Sequence, residues 1–197
     1  PPNGGRYILN LKAEHETKYG FDPERPHAWL PCRQCPVCAQ STKKDWTIRI
    51  IHEAQYHEVN CALTLTFSSE VLEQRTPMKW SVYKSDVTKF IKKLRTYINR
   101  HEGRNVEIKY YAAGEYGTKT HRPHYHIVIF GWMPHDIDVH GKSTVILNNA
   151  SEQHYSQFVE RIWNQGRTTV GVFTGASAGY IAGYVNKKME NKEYNVV

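Results

Sequence analysis

Apolar and polar positions alternate along Cys61-Ala-Leu-Thr-Leu-Thr-Phe67. A period of two predicts a β-strand with its threonines and its apolar residues on opposite faces. The period changes after Ser85-Asp86, an N-cap signal. Val87, Phe90, Ile91, Leu94 and Ile98 then recur at helical spacing, ending near Gly103, with lysines and arginines on the other face. Two further strand runs follow, Glu107–Glu115 and one built on Ile127-Val-Ile-Phe130. The stretch Tyr116–Arg122 between them is rich in turn residues and predicts a hairpin. Residues from Trp132 to Ala150 read as a polar loop. Ser151 then caps a second helix carrying Tyr155, Phe158, Val159, Ile162 and Trp163, closed by Gly166. Arg167–Thr174 is a fourth strand, and Ser177–Glu190 a last helix.

From Cys61 onward the order is β-α-β-β-α-β followed by a helix. This is the ferredoxin-like plan, an α+β fold with an antiparallel sheet backed by two helices. In it the first and third strands lie side by side at the centre. The last helix could then cross the face left open. Ahead of this core, Trp46, Ile50, Ile51 and Ala54 fall at helical spacing between Val37 and His57, and residues 1–31 read as an extended arm. The expected organisation is therefore an arm, cysteine cluster and basic helix over 1–60, then the core over 61–197, forming one compact unit.

The third strand adds chemistry to this plan. His124 and His126 are two apart and project from one side of it, while Tyr125 faces the other way. The hairpin brings Glu115 close to His124. Two imidazoles and a carboxylate suit a divalent metal with positions open for substrate. Taken alone, a His-x-His pair on a strand is more often two partly exposed polar residues. The last helix places Tyr180 and Tyr184 one turn apart on one face, with Lys187 or Lys188 a turn further on and Ile181 and Val185 in the adjacent stripe. A tyrosine pair alone would be packing. Beside a metal strand it gains a use: a phenol attacks phosphorus only when activated, and a cation favours its phenolate. Tyrosine attack on DNA stores the cleaved bond as a 5′-phosphotyrosine, and a second tyrosine could take the next turn.

Charge agrees with a polyanionic partner. The chain carries 26 Lys and Arg against 19 Asp and Glu, a formal net charge of +7. The basic residues are clustered, as at Lys43-Lys44, Lys92-Lys93 and Lys187-Lys188. No apolar run approaches transmembrane length and no signal-peptide pattern opens the chain, so no membrane role is expected. The chain starts on Pro1 rather than Met, as a trimmed or partial protein would. Three of the four cysteines form Cys32-x2-Cys35-x2-Cys38, a spacing that often holds structural Zn²⁺ in a reducing compartment. The fourth ligand would come from Cys61, His27, His52 or His57; otherwise these are reduced cysteines packed in a turn. In the hairpin loop, Lys119, His121 and Arg122 stand where they could hold a DNA backbone, and Lys43, Lys44 and Arg49 could do so on the first helix.

His124-Tyr125-His126 resembles the His-hydrophobic-His motif of HUH endonucleases. Tyr180-x3-Tyr184-x2-Lys187 resembles the tyrosine motif of their two-tyrosine replication initiators. The block Ala112–His126 and the segment Pro31–Cys38 are similar to those of the initiators of microviruses, small single-stranded DNA phages, in their gokushovirus-like branch. The resemblance covers about residues 31–190. It implies a rolling-circle initiator in the cytoplasm of a bacterial host. Such a protein nicks the plus-strand origin, stays on the 5′ end, leaves a 3′-OH primer and later rejoins the genome. Its partners would be single-stranded DNA, the viral origin and a host helicase. It also implies Mg²⁺ or Mn²⁺ on Glu115, His124 and His126, although imidazole ligands by themselves favour Mn²⁺ or Zn²⁺. Tyr184 would make the first cleavage and Tyr180 the second, with Lys187, or Lys188 in its place, as the phosphate or phenolate partner. Three alternatives remain: a relaxase- or transposase-type HUH nuclease, a zinc hydrolase on the same triad, and a non-catalytic zinc-containing module that binds single strands.

Overall fold

The computed structural model describes residues 6–8, 28–30, 35–75, 80–102, 107–137, 145–148 and 151–190. Within the N-terminal arm, β1 (Arg6–Ile8) and β2 (Ala28–Leu30) pair antiparallel. Next come α1 (Pro36–Gln55), β3 (Asn60–Thr66), a short α2 (Ser69–Gln74) and α3 (Lys84–His101). The hairpin is β4 (Lys109–Tyr116) and β5 (Pro123–Phe130). A second hairpin, β6 (Val145–Asn148) and β7 (Ser151–His154), precedes α4 (Gln157–Trp163), β8 (Thr168–Val172) and α5 (Gly175–Glu190).

β3 to β8 form one six-stranded sheet in the order β4-β5-β3-β8-β7-β6, with every pairing antiparallel. Its first four strands follow the expected plan, and β3 and β5 are central neighbours. Their register sets Thr64 opposite His126 and Thr66 opposite His124.

The alternation of β3 and β5 builds two different cores. Cys61, Leu63, Leu65 and Phe67 from β3 and the turn after it join Tyr125, Ile127 and Ile129 from β5 on one face. There they meet Val87, Phe90, Ile91, Leu94 and Ile98 of α3 and Phe158, Val159, Ile162 and Trp163 of α4. Burying each such side chain fully contributes about 1.5–3 kcal/mol. The other face carries Val128 and Phe130, covered by Ile50 and Ala54 of α1 and Ala178, Ile181 and Ala182 of α5. The sheet is thus sandwiched, and α5 does cross the second face.

Two elements differ from expectation. The region read as a polar loop contains β6, and Ser151 starts β7 rather than capping a helix. The actual cap is Ser156, whose Oγ accepts from the Val159 N–H at 3.0 Å and donates to Asp136 at 2.7 Å. α3 likewise begins at Lys84 without a side-chain cap. Asp86 lies inside its first turn and is buried, where it binds Arg75 and accepts from the Tyr125 hydroxyl at 2.6 Å. After α4, Gly166 runs so close to the end of β3 that a Cβ there would lie 2.3 Å from the Thr66 carbonyl oxygen. Only glycine permits that approach.

Candidate metal and tyrosine site

The β4–β5 register sets Glu115 opposite His124 and Ala113 opposite His126, all on the second face. A tight turn produces it: Gly117 N–H donates to the Arg122 carbonyl at 3.0 Å, and His121 takes a left-handed φ of 50°. The two histidine Nε2 atoms then converge on one carboxylate oxygen, Glu115 Oε2, at 3.1 Å from His124 and 3.2 Å from His126. One ligand atom from each of the three residues lies within 4.8 Å of the others. Glu115 and His126 are 8 % and 7 % exposed; His124 is half-buried and nearer solvent.

The outer ring nitrogens are held too. His124 Nδ1 lies 3.1 Å from the Arg122 carbonyl, which can only accept, so Nδ1 carries the proton and Nε2 presents its lone pair. His126 Nδ1 lies 3.2 Å from Thr64 Oγ1. A hydroxyl can donate or accept, so the His126 tautomer is not fixed by this contact; in the tautomer that puts its proton on Nδ1, both Nε2 lone pairs and the Glu115 carboxylate face the same point. Nitrogen and oxygen donors fixed from behind in this way fit a divalent transition metal.

α5 lays its tyrosines over this cluster. Tyr184 is 5 % exposed and its ring lies flat on His126, centroids 4.3 Å apart and planes 3° from parallel. Tyr180 is 62 % exposed and meets the edges of both rings, 5.6 Å from His126 and 4.9 Å from Tyr184. Burial, its hydrogen bond with Tyr180 and the nearby Glu115 carboxylate hold the Tyr184 hydroxyl far above the ordinary phenol range. The phenol is therefore neutral at physiological pH unless an added cation offsets Glu115.

α5 packs on α1 through Ala178, Ile181 and Ala182 against Ile50 and Ala54, with two glycines of α5 beside the contact. A Cβ on Gly179 would meet only Thr47 Cγ2 at 3.9 Å, and one on Gly183 would meet Lys43 Cε at 3.5 Å and Nζ at 3.6 Å. Lys43 therefore lies across the residue preceding Tyr184. In the sequence Lys43 is one of several basic residues on α1; its position over Gly183 emerges only when the helices are packed. Thr64 was also missed as a partner of His126, although its alternate position in β3 already assigned it to that face.

The other candidates are distributed as follows. Lys187 and Lys188 continue α5 beyond Tyr184, and their side chains lie outside the described residues. Lys119 and His121 are exposed in the turn. Arg122 is engaged inside the protein, donating to the Phe67 carbonyl at 2.7 Å and to Ser69 Oγ at 2.8 Å. Its guanidinium also lies 5.8 Å from the Trp80 ring centroid.

Cys32 and His27 lie outside the described residues. Cys35 caps α1, its Sγ accepting from the Cys38 N–H at 3.4 Å. Of the other proposed fourth ligands, His52 sits in the last turn of the 20-residue α1, more than about 20 Å from Cys35 at 1.5 Å per residue, and His57 lies just beyond its C-cap. His57 is paired there with Glu53 at 2.8 Å. Cys61 is wholly buried in the core of the opposite face, where burial pushes its thiol pKa up. Among the described residues, the one group of three placed so that it could hold a metal ion is Glu115, His124 and His126.

Comparison with known proteins agrees over this region. The family of replication-associated proteins ORF2/G2P matches residues 60–189. The chain is 35 % identical over 169 residues to replication-associated protein ORF2 of Spiroplasma virus 4, covering 85 % of this chain and 51 % of that protein. It is 36 % identical over 164 residues to replication-associated protein VP4 of Bdellovibrio phage phiMH2K, covering 81 % and 49 %. With replication-associated protein ORF4 of Chlamydia phage 1 it shares 31 % over 180 residues, covering 91 % and 42 %. The chain thus spans about half the length of the curated relatives it matches. No solved structure matches it.

Proposed function

The chain belongs to the ORF2/G2P family of replication-associated proteins, and from that premise we propose that it is the nicking and joining unit of a microvirus rolling-circle initiator. One observation carries the reading: the Tyr184 ring lies flat on His126 while its hydroxyl is hydrogen-bonded to Tyr180 and Glu115. A phosphorus nucleophile and a metal-ligating set thus share one place, beside a second tyrosine at the solvent edge.

Glu115, His124 and His126 would hold the divalent ion, Mg²⁺ or Mn²⁺, which when bound polarises a phosphate oxygen and orients the phosphodiester. The two imidazoles favour Mn²⁺ over Mg²⁺. Thr64 and the Arg122 carbonyl keep both imidazoles aimed. In the first cleavage the Tyr184 oxygen bonds to phosphorus as the P–O3′ bond breaks. The phenol proton passes to Tyr180 as Tyr180 releases its own hydroxyl proton to solvent water, and the departing O3′ takes a proton from water. The products are a 5′-phosphotyrosine and a free 3′-OH. Tyr180 attacks in the second cleavage, and the released 3′-OH reverses the first bond to join the strand. Lys187 or Lys188, one turn beyond Tyr184, would supply charge to the phosphate, and Lys43 lies beside Gly183, the residue before Tyr184. Viral DNA replication in the cytoplasm of a bacterial host would be the setting. Among the described residues no helix is long and apolar enough to cross a membrane.

The test uses single-stranded oligonucleotides tiled across the genome that encodes the chain, with Mn²⁺ or EDTA. Wild type is compared with Tyr180→Phe, Tyr184→Phe and the double variant on denaturing gels. A metal-dependent DNA-linked band, lost in the double variant, is the expected result. Cleavage without an adduct indicates a hydrolase, and binding without cleavage indicates a module that only holds single strands.

A further inference from the structure

On the side of the sheet away from the triad, α3 and α4 enclose a groove of about 490 Å³. Lys92, Lys93, Arg100 and His101 line it from α3 and Arg161 from α4; no carboxylate does. The charge is not balanced elsewhere on α3. Its solvent face carries Lys84, Lys89, Lys92, Lys93, Arg95 and Arg100, all exposed, and its single acid is the buried Asp86, held by Arg75 and Tyr125. Nearby carboxylates serve the fold: Glu102 accepts from Trp132, Asp136 from Ser156 and Glu160 from Tyr155. Lys89 stands three and four residues from Lys92 and Lys93, an arrangement of like charges that costs a helix a few tenths of a kcal/mol per pair. A merely solvated helix face intersperses acids; this one does not.

The groove also lacks what a single strand needs. Single-strand sites combine basic grooves with open aromatic faces on which bases stack. Tyr97, the aromatic ring here, is already stacked on His101 at 3.9 Å and abuts Phe158 edge-on at 4.1 Å. The triad face, by contrast, exposes Tyr180. α3 is straight-chain scaffolding about 27 Å long at 1.5 Å per residue, long enough to follow a phosphate backbone over several base pairs.

We propose that the α3–α4 groove is a second nucleic-acid surface that grips duplex DNA through its phosphates, while the opposite face handles the single strand. The proposal rests on the replication reading only in choosing DNA as the polyanion. It would keep the nicking face beside the duplex from which the strand is peeled.

The experiment measures binding of the whole chain to a short blunt-ended duplex by fluorescence anisotropy, between about 50 and 200 mM salt. Wild type is compared with a Lys92→Ala, Lys93→Ala, Arg100→Ala triple variant and with a Lys92→Arg, Lys93→Arg double variant that keeps the charge. Removing three phosphate contacts should reduce the slope of log affinity against log salt by about 2 to 3. The charge-keeping variant should retain the wild-type slope, and adduct formation on single-stranded oligonucleotides should stay within twofold for both. An unchanged slope in the alanine variant overturns the proposal. So does an equal loss of single-strand nicking, which would put these side chains on the single-strand path. A wild-type chain that ignores duplex DNA but shows salt-dependent binding to polyglutamate overturns it in favour of an acidic protein partner. Duplex binding is read without cleavage, so a failure of the nicking reading leaves it separately decided.

Discussion

Replacing Thr64 by Val removes a side-chain hydrogen bond that holds the ring of His126 on the side away from Glu115, the 3.2 Å contact to Nδ1. Shape is nearly kept, and valine is at home in a strand. The lost bond is worth about 1 kcal/mol in the metal-free fold, partly regained by the added methyl, so metal-free stability should move by less than about 1 kcal/mol. Metal affinity should fall further, because loss of an outer partner of a ligating histidine typically weakens binding about 10- to 100-fold. At a Mn²⁺ concentration about 100 times the wild-type dissociation constant, binding adds about 2.7 kcal/mol to wild-type stability. A tenfold weaker variant keeps about 1.4 kcal/mol of this. For a domain of this size the difference corresponds to about 3–5 °C in melting temperature. The assay is thermal unfolding of both proteins in EDTA and across a Mn²⁺ titration. Equal displacement of the EDTA and Mn²⁺ melting curves would mean that Thr64 acts through the fold alone. A wild-type melting temperature indifferent to Mn²⁺ would remove the triad as a metal site.

Gly179→Ala should stabilise the protein by up to about 1 kcal/mol, because the position is inside α5 and a Cβ there meets nothing closer than 3.9 Å; a loss in chemical denaturation would show that α1 and α5 pack more tightly than described. Tyr111 has a buried hydroxyl with no hydrogen-bond partner among the described residues, and burial pushes its pKa up to about 12. The folded state therefore favours the neutral phenol, and this contribution is complete below about pH 10, the unfolded value, and lost as pH rises toward 12. Tyr111→Phe should be neutral or stabilising by about 1 kcal/mol at pH 7 and should lose less stability between pH 10 and 12, as followed by urea unfolding. Tyr125→Phe deprives buried Asp86 of a 2.6 Å donor and should cost about 1.5–3 kcal/mol in the same measurement; a cost near zero would mean that Arg75 alone satisfies that carboxylate.

The parts of the fold that were legible are those in which side-chain period and burial agree. The alternation of Cys61–Phe67 and the stripe from Val87 to Ile98 each face a single apolar core. The hairpin was legible because seven turn-forming and polar residues separate two β-rich runs, and its register then placed Glu115 opposite His124. Sequence failed where polar residues make a strand. Ser151–His154 contains no apolar residue, and its backbone pairs with Val145–Asn148 in a register that only the folded sheet defines. The contact of α1 with α5 was hidden for the opposite reason: the glycines and alanines of α5 leave almost no amphipathic signal. That contact also brings Lys43 over Gly183. For the zinc expectation, the continuous α1 puts His52 far from Cys35, while Cys32 and His27 lie outside the described residues.

The two-sided use of β5 constrains how this lineage can change its length. Tyr125, Ile127 and Ile129 fill one core, while His124 and His126 carry the site on the reverse. Deleting or inserting a single residue within the strand would exchange these sets, sending imidazoles into an apolar interior and leucine-sized side chains toward the tyrosines. Insertions in the Gly117–His121 turn change neither set. Homologues are therefore expected to vary in loop length there while keeping the parity of every strand that borders the histidines, so that gaps in an alignment would trace the boundary between the replaceable and the irreplaceable parts of the domain.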